Sequence, residues 1–318
     1  LPRTFKLREV EKPTPGDDQV LVRVYASSVN FANLALIRGR PFVIRLRFGF
    51  LRPKEYIPGS DVAGRVEAVG KEVMEFQPGD EVYGDITSDD GYGAYAEYVA
   101  VRQAIIALKP ANLSFAEAAA VPQAAAVALQ GLRMGGIQEG QKVLICGASG
   151  GIGTFAVQIA KAFGAHVTAV CSTRNVDLVR SIGADQIIDY KREDFSRRAE
   201  RYDLILATVG YRPIADYQRV LSPEGHYVVT GGTMRQILDV GLHGERMSAR
   251  GGQTFSMLEH QVSQDDLVFI KEVIEAGKVK PVLDKCYPLE AAADALRYYG
   301  KRRTRGKVVI TVEHDDKA

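Results

Sequence analysis

Cysteine is scarce in this chain: Cys146, Cys171 and Cys286 are far apart and odd in number. That excludes a disulfide framework and a cysteine-rich zinc site. Free thiols suit a reducing compartment, and a cytoplasmic setting is the expectation. An excess of one charge is lacking too. Lys and Arg number 41 against 39 Asp and Glu, a formal net charge of +2, which gives no electrostatic case for nucleic acid as the main partner. No apolar run is long enough to cross a bilayer, and the start does not read as a secretory leader. The first residue is Leu1 and not Met, so a targeting segment removed earlier would leave no trace. No internal repeat or low-complexity tract stands out.

What is present is enough sequence for two domains: 318 residues, 46% hydrophobic and 25% charged. Residues 1 to about 112 read as many short strands between Gly and Pro turns, the pattern of a barrel-like β domain. Val20, Val22 and Val24 alternate with Leu21, Arg23 and Tyr25, and further strands are expected at Val62 to Val69, Glu81 to Gly84 and Tyr95 to Val101. Residues 40–54, RPFVIRLRFGFLRPK, interleave five basic residues with Phe42, Phe48 and Phe50. A packed lid over a substrate or a surface insertion is favoured there over a peripheral patch on an anionic membrane.

The chain is organised around Lys142 to Thr173, KVLICGASGGIGTFAVQIAKAFGAHVTAVCST. The run Val143 to Cys146 is apolar enough to be a strand buried on both faces. Gly147, Gly150, Gly151 and Gly153 follow it. Next, Ile152, Phe155, Ala156, Ile159, Ala160 and Phe163 recur at helical spacing up to a terminating Gly164, and His166 to Cys171 is a second strand. A glycine turn between strand and helix lets backbone approach a pyrophosphate, and the free N–H groups of the helix start bind its charge. The strict G-x-G-x-x-G form fails at Ala148, whereas Gly147, Gly150 and Gly153 satisfy G-x-x-G-x-x-G. A ligand-free turn is the alternative, and the strand before and helix after disfavour it. Upstream, Ser114 and Glu117 form a capping box for a helix near Phe115, leading into an alanine-rich segment interrupted by Pro122. Downstream, helix and strand alternate: 175–182, 186–189, 203–209, 214–221 and 226–230, with another helix over 265–275 and a mixed tail ending in a strand over 308–312. Such alternation predicts a parallel sheet with helices on both faces.

The cofactor's identity is decided at the end of the second strand, where an NAD site usually places Asp or Glu. This chain has Ser172, Thr173 and Arg174 there. Two hydroxyls and a guanidinium suit a 2′-phosphate, which a carboxylate would repel, so NADP is favoured.

As a set, ASSVN (26–30), IPGSDVAGRVEAVG (57–70), GDEVYG (79–84), GAYAEYV (93–99), the glycine turn and RGKVVITV (305–312) resemble the zinc-independent, zeta-crystallin-like quinone oxidoreductases. These form a branch of the medium-chain dehydrogenase/reductases. The resemblance covers nearly the whole chain; Phe5 to Pro13 looks like the family's second strand, leaving the usual first one out. It implies an α/β fold, with a β-rich GroES-like catalytic domain from both chain ends (1–112 and 257–318) around a Rossmann doubly wound domain (113–256). It also implies a homodimer, with NADPH in the cleft passing hydride to a quinone or an activated alkene.

Carried over by position, Asn30 lies beside nicotinamide and substrate, its amide a candidate oxyanion donor or simply a loop Asn satisfying backbone. The glycine turn, with Gly147, Ser149, Gly150, Gly151, Ile152 and Gly153, holds the pyrophosphate. Ser172, Arg174 and Tyr190 serve the 2′-phosphate. Thr208-Val209-Gly210 and Thr230-Gly231-Gly232 line the cofactor, and Lys307 is a basic position near it. Zinc relatives carry a Cys and a Gly-His-Glu where this chain has Asn30 and Gly59-Ser60-Asp61, and no cysteines fall in Asp85 to Tyr95 to build their structural lobe; the expectation is no metal. Two departures matter. Ala35 stands where some members have a Tyr, and Val127 where many have a carboxamide-binding Thr; Tyr92 and Tyr95 remain as unselected phenols. The expected activity is NADPH-dependent reduction of quinones or α,β-unsaturated carbonyls. The rival is an NADPH-binding protein with little turnover, used in structure, sensing or interaction. Reduction of saturated carbonyls is disfavoured, since nothing visible would polarise them.

Overall fold

A computed structural model of the chain describes residues 6–38, 57–87, 93–210, 212–231, 239–240 and 252–314. The insertion at 40–54, Tyr92 and Gly232 lie outside these. The chain divides into two compact units, one of residues 1–123, 261–275 and 281–318, the other of 124–260 and 276–280. Residues 113–123 therefore fall in the first unit, and 257–260 and 276–280 in the second, where the family pattern had set its boundaries at 112 and 256.

The first unit is built on β1 (Gln19–Ser28), whose alternation puts Val20, Val22, Val24 and Ala26 fully inside. Along one edge β1 pairs antiparallel with β2 (Asp61–Val69). Two strands share its remaining pairing positions. Gln19 to Arg23 take β4 (Tyr98–Arg102), and Ala26 to Ser28 take β13 (Lys307–Thr311) from the far end of the chain. With β3 (Glu81–Asp85), β5 (Ile106–Leu108) and β12 (Leu283–Pro288) the order is β12-β13-β1-β2-β3-β5, β4 lying beside β1. Every pairing in this sheet is antiparallel except β12 with β13. Residues 6–16 form no strand, contrary to the expectation at Phe5 to Pro13. The strand expected from Tyr95 starts at Tyr98, because the Tyr95 N–H turns to the Pro58 carbonyl at 2.9 Å.

Helix α1 (Phe31–Arg38) follows β1 directly. Helix α2 (Phe115–Ala119) begins at the expected capping box: the Glu117 N–H donates to Ser114 Oγ, and the Ser114 N–H donates to the Glu117 carboxylate at 3.0 Å. Pro122 opens α3 (Pro122–Met134) at the position where a missing N–H is harmless. Helix α7 (Gln264–Glu275) is fastened by the buried Tyr83 hydroxyl, which donates to the Leu267 carbonyl at 2.6 Å, and α8 (Ala292–Tyr299) buries Ala295 and Leu296.

The second unit is a six-stranded sheet with every pairing parallel. Its strands are β6 (Lys142–Cys146), β7 (His166–Cys171), β8 (Gln186–Asp189), β9 (Tyr202–Ala207), β10 (Leu221–Val229) and β11 (Thr254–Met257). The order β11-β10-β9-β6-β7-β8 reverses direction between β6 and β9, which makes the carboxyl ends of those strands the natural ligand crevice. Helices α4 (Gly151–Ala162), α5 (Val176–Ser181) and α6 (Ile214–Val220) connect the strands. Gly164, at φ +78°, ends the first crossover in the left-handed region as its sequence position predicts. A row of rings, Phe195, Tyr217, Tyr227 and Phe255, runs through the core with successive centroids 5.4, 4.9 and 5.8 Å apart.

Ser114→Ala removes the cap of α2 and should lower unfolding free energy by about 1 kcal/mol. Urea denaturation should show a lower midpoint with an unchanged slope.

Candidate active site and dinucleotide site

In the first unit the end of β1 carries polar residues into the core. Asp61, at the start of β2, has no exposed surface, and four donors converge on it. The Ser28 hydroxyl, the Asn30 Nδ2 (2.9 Å) and the Lys307 Nζ (3.3 Å) meet Oδ2; the Gln123 N–H meets Oδ1 at 3.0 Å. Burial pushes the Asp61 carboxyl above the ordinary carboxylate range, while the Lys307 ammonium and the Ser28 and Asn30 hydrogen bonds pull it back. Gln123 also reaches the neighbouring buried Asp85: its Nε2 donates to Thr87 Oγ1 at 2.9 Å, and the Thr87 hydroxyl donates to the Asp85 carboxylate.

Asn30, 6% exposed, has its amide fully engaged on the donor side. One Nδ2 hydrogen goes to Asp61 and the other to Ser60 Oγ at 3.0 Å, while Oδ1 accepts from Lys307 Nζ at 2.5 Å. The oxyanion-donor role needs an amide hydrogen that this arrangement has already spent. Asn30 instead holds the buried Lys307 ammonium, whose Nζ has three hydrogens and two of these acceptors. Lys307 thus belongs to the Asn30 cluster in the first unit. The Tyr95 phenol is committed to the Ser28 carbonyl at 3.2 Å, and Ala35 is buried. Asn33 completes the group: its Oδ1 accepts the Asn30 N–H at 2.9 Å and its Nδ2 donates to Ser60 Oγ at 3.4 Å.

The second unit gathers most of the other sequence-predicted residues at the carboxyl ends of its strands. Gly147 follows β6 at φ +83°, and a Cβ on it would lie 2.7 Å from Thr208 Oγ1. A Cβ on Gly153 would lie 2.1 Å from the Gly147 carbonyl oxygen, so α4 meets the turn backbone to backbone. Gly150 is the N-cap of α4, which leaves Gly151, Ile152 and Gly153 with first-turn N–H groups that have no intrahelical acceptor. Thr208 fixes the turn by donating its hydroxyl to the Cys146 carbonyl at 2.9 Å. The Thr230 N–H donates to the Ala207 carbonyl at 3.0 Å and the Gly210 N–H to the Gly231 carbonyl at 2.9 Å, so both strand-end segments are joined. Val209 is half exposed, and Thr230 Oγ1 is buried with no partner among the described residues.

At the end of β7, Ser172 is buried and Arg174 exposed. Tyr190 is half exposed, its N–H on the Cys171 carbonyl at 3.1 Å. The nearby carboxylate of Asp189 is held below its ordinary range, first by the Thr173 hydroxyl, then by the Lys191 N–H and the Arg192 guanidinium. One residue missed in the sequence stands at the centre. Asn175, 4% exposed, donates Nδ2 hydrogens to Ser149 Oγ at 2.7 Å and to Ser172 Oγ at 3.3 Å, and its Oδ1 has no partner among the described residues. The turn closed to a Cβ at Gly147 and Gly153, the free helix-start N–H groups and the Thr230 and Asn175 oxygens, without partners among the described residues, all fit a dinucleotide. Neither nearby thiol is a nucleophile: burial pushes Cys146 up to about 12 and, with Asp189, Cys171 up to about 11.

A parallel Rossmann sheet with a glycine turn, joined in one chain to an antiparallel β unit, is the layout of a medium-chain dehydrogenase/reductase. Comparison agrees. Residues 16–111 match the family described as "Alcohol dehydrogenase GroES-like domain", and residues 182–310 that described as "Zinc-binding dehydrogenase". A "2-methylene-furan-3-one reductase" of Solanum lycopersicum is 36% identical over 95% of this chain and 74% of its own. An "NADPH-dependent alkenal/one oxidoreductase, chloroplastic" of Arabidopsis thaliana is 33% identical over 94% and 73%. The solved structure of the quinone oxidoreductase from Coxiella burnetii superposes with a TM-score of 0.86, at 28% identity, over 97% of this chain and 95% of that one. The chain belongs to the quinone oxidoreductase branch of the medium-chain dehydrogenase/reductase superfamily, and it is an oxidoreductase. Among the described residues no group of three or more His, Cys, Asp or Glu gathers as a metal site, and no helix is long and apolar enough to cross a membrane.

Lys307→Met leaves the Asp61 carboxylate buried without its cation, and should cost about 3–5 kcal/mol near neutral pH. The loss should shrink in acid. An acid whose folded pKa lies above its unfolded value adds stability below the unfolded value, about 4 for Asp, and loses it as pH rises through the folded one. Removing Lys307 raises the folded value further, so the deficit against wild type should grow from pH 4 upward; a pH-independent deficit in denaturant titrations would contradict the pairing.

Proposed function

We propose that the protein is an NADPH-dependent reductase of quinones or α,β-unsaturated carbonyls that works without zinc. The observation that carries this is the end of β7, where Ser172 and Arg174 stand in place of a ribose-binding carboxylate and Asp189 is tied to Thr173. Gly147, Ser149, Gly150, Gly151, Ile152 and Gly153 would hold the pyrophosphate; Ser172, Arg174 and Tyr190 the 2′-phosphate; Thr208, Val209, Gly210, Thr230 and Gly231 the rest of the dinucleotide. When bound, that cofactor supplies a hydride to an electrophilic carbon or a quinone oxygen.

The Asn30 cluster supplies position and charge. Asn30 and Asp61 fix the Lys307 ammonium, whose positive charge favours an enolate or phenolate forming near it. The proton then comes from water, since a hydroquinone oxyanion needs no tuned acid. Zinc is disfavoured by the donor set: Asn30 and Ser60 are poor ligands, and the Asp61 carboxylate already faces an ammonium. The relatives' names, each a reductase or oxidoreductase, support turnover over a purely binding role. A homodimer in a reducing compartment, cytosolic or, like the Arabidopsis relative, chloroplastic, completes the reading.

The test follows loss of reduced-nicotinamide absorbance with a panel of ortho- and para-quinones, short enones and a long 2-alkenal. NADPH should be used well ahead of NADH. Arg174→Ala should raise KM for NADPH by about tenfold to a hundredfold, the worth of one charge-assisted contact, with NADH little changed. No oxidation across the panel, or a preference for NADH, would overturn the reading.

A further inference from the structure

We infer that Asn175 is a positioning residue that sets the preference for NADPH, by turning the hydroxyls of Ser149 and Ser172 into outward donors. The inference rests on the NADPH reading above and adds a residue to it. Asn175 ends the single turn Thr173–Asn175 after β7, with its N–H on the Ser172 carbonyl at 2.8 Å. Its amide lies between two serines that serve different parts of the ligand. Ser149 is in the pyrophosphate turn, and Ser172 at the 2′-phosphate edge.

The direction of those bonds matters more than their number. A serine oxygen that accepts a hydrogen bond keeps its own hydrogen to give away; one whose hydrogen is taken by a carbonyl faces its ligand with lone pairs only. Asn175 gives both amide hydrogens to the two serine oxygens, so both hydroxyl hydrogens are left for acceptors, and phosphate oxygens only accept. The reverse orientation would present Oδ1 to the serines and consume those hydrogens. The chosen one leaves Oδ1 buried without a partner, a rare arrangement that native folds keep mainly at functional positions. Arg174 precedes Asn175 in the same turn, so the amide also anchors the segment that carries the guanidinium.

Calorimetric titration with NADPH, NADH and 2′,5′-ADP tests this without turnover. Asn175→Ala should weaken NADPH and 2′,5′-ADP by about tenfold, and NADH by clearly less. Ser172→Ala should show the same selectivity. If Asn175 acts through Ser172, the double variant should bind 2′,5′-ADP little worse than either single one. Asn175→Asp keeps the size but can only accept, so it should lose more 2′,5′-ADP affinity than the alanine variant; it also serves should that variant fail to fold. Wild-type affinity in the Asn175 variants, equal losses of NADPH and NADH, or additive losses with Ser172→Ala would overturn the inference and leave the NADPH reading standing. Wild-type protein that binds neither NADPH nor 2′,5′-ADP would sink the reading itself, and the inference with it.

Discussion

A carboxylate with no exposed surface governs the first unit. Taken out of water alone, Asp61 would cost several kcal/mol; only good geometry and a full set of donors offset that. Those donors come from chain segments 33, 31, 62 and 246 residues away. Meeting them requires the end of β1, the start of α1, the start of α3 and the last strand to converge on one atom group. Pairing of β13 with Ala26 to Ser28 brings Lys307 there. Two distant parts of the sequence therefore share one sheet, and the hydrophobic pattern alone would not choose which strand closes it. The apolar alternation of β1 supplies the bulk of the burial; the buried charge selects the partner.

In the second unit the governing constraint is distance between backbones. Strand β6 must end, turn and enter α4 with the Gly147 carbonyl oxygen already against the helix, and only Gly153 leaves room. Gly150, the N-cap, has no side chain to cap the first-turn N–H groups of α4. Structure and ligand chemistry thus make the same demand on the same residues, so the glycine pattern is informative only with its strand and helix around it. Around that turn the polar contacts come from neighbouring strand ends, 62 and 26 residues away in the chain. Thr208 bonds the carbonyl that ends β6, and Asn175 reaches across from the neighbouring strand end.

How much of this was legible follows from the range of each interaction. The strands, the capping box at Ser114, the terminating Gly164 and the parallel alternation after Lys142 could be read because each is set by residues within one or two turns of one another. Residues 6–13, where the family pattern places a strand, form none, and no local alternation there demands one. The Asp61 cluster could not be read in advance. From the residues alone its trace was a run of Ser27, Ser28, Asn30 and Asn33 at the end of an apolar strand; Ser60, Asp61 and Lys307 were marked only by the family pattern, and what the run serves depends on them. For the same reason the oxyanion-donor expectation at Asn30 could not be weighed in advance, since the hydrogens of its amide are taken by Ser60 and Asp61. Asn175 is the opposite case. It sits three residues from Ser172, and a polar residue one step beyond Arg174, the residue expected to meet a 2′-phosphate, was a signal available within the sequence.

In the proposed reading, the commitments inside the first unit also bear on what can be reduced. The Asn30 amide has no spare hydrogen, the Tyr95 phenol is on a backbone carbonyl, and position 35 is an alanine. What the cluster would offer an acceptor in that reading is the Lys307 ammonium, buried and held between Asn30 and Asp61. Hydride delivered to a saturated aldehyde or ketone makes an alkoxide, a strong base that must be met by a Lewis acid or a tuned proton donor as it forms. Hydride delivered to a quinone or a conjugated enone makes a delocalised phenolate or enolate. Such an anion spreads its charge over several atoms and can wait for a proton from water, so a nearby fixed cation is sufficient. The side-chain inventory of the cluster therefore favours conjugated acceptors on grounds separate from the names of its relatives.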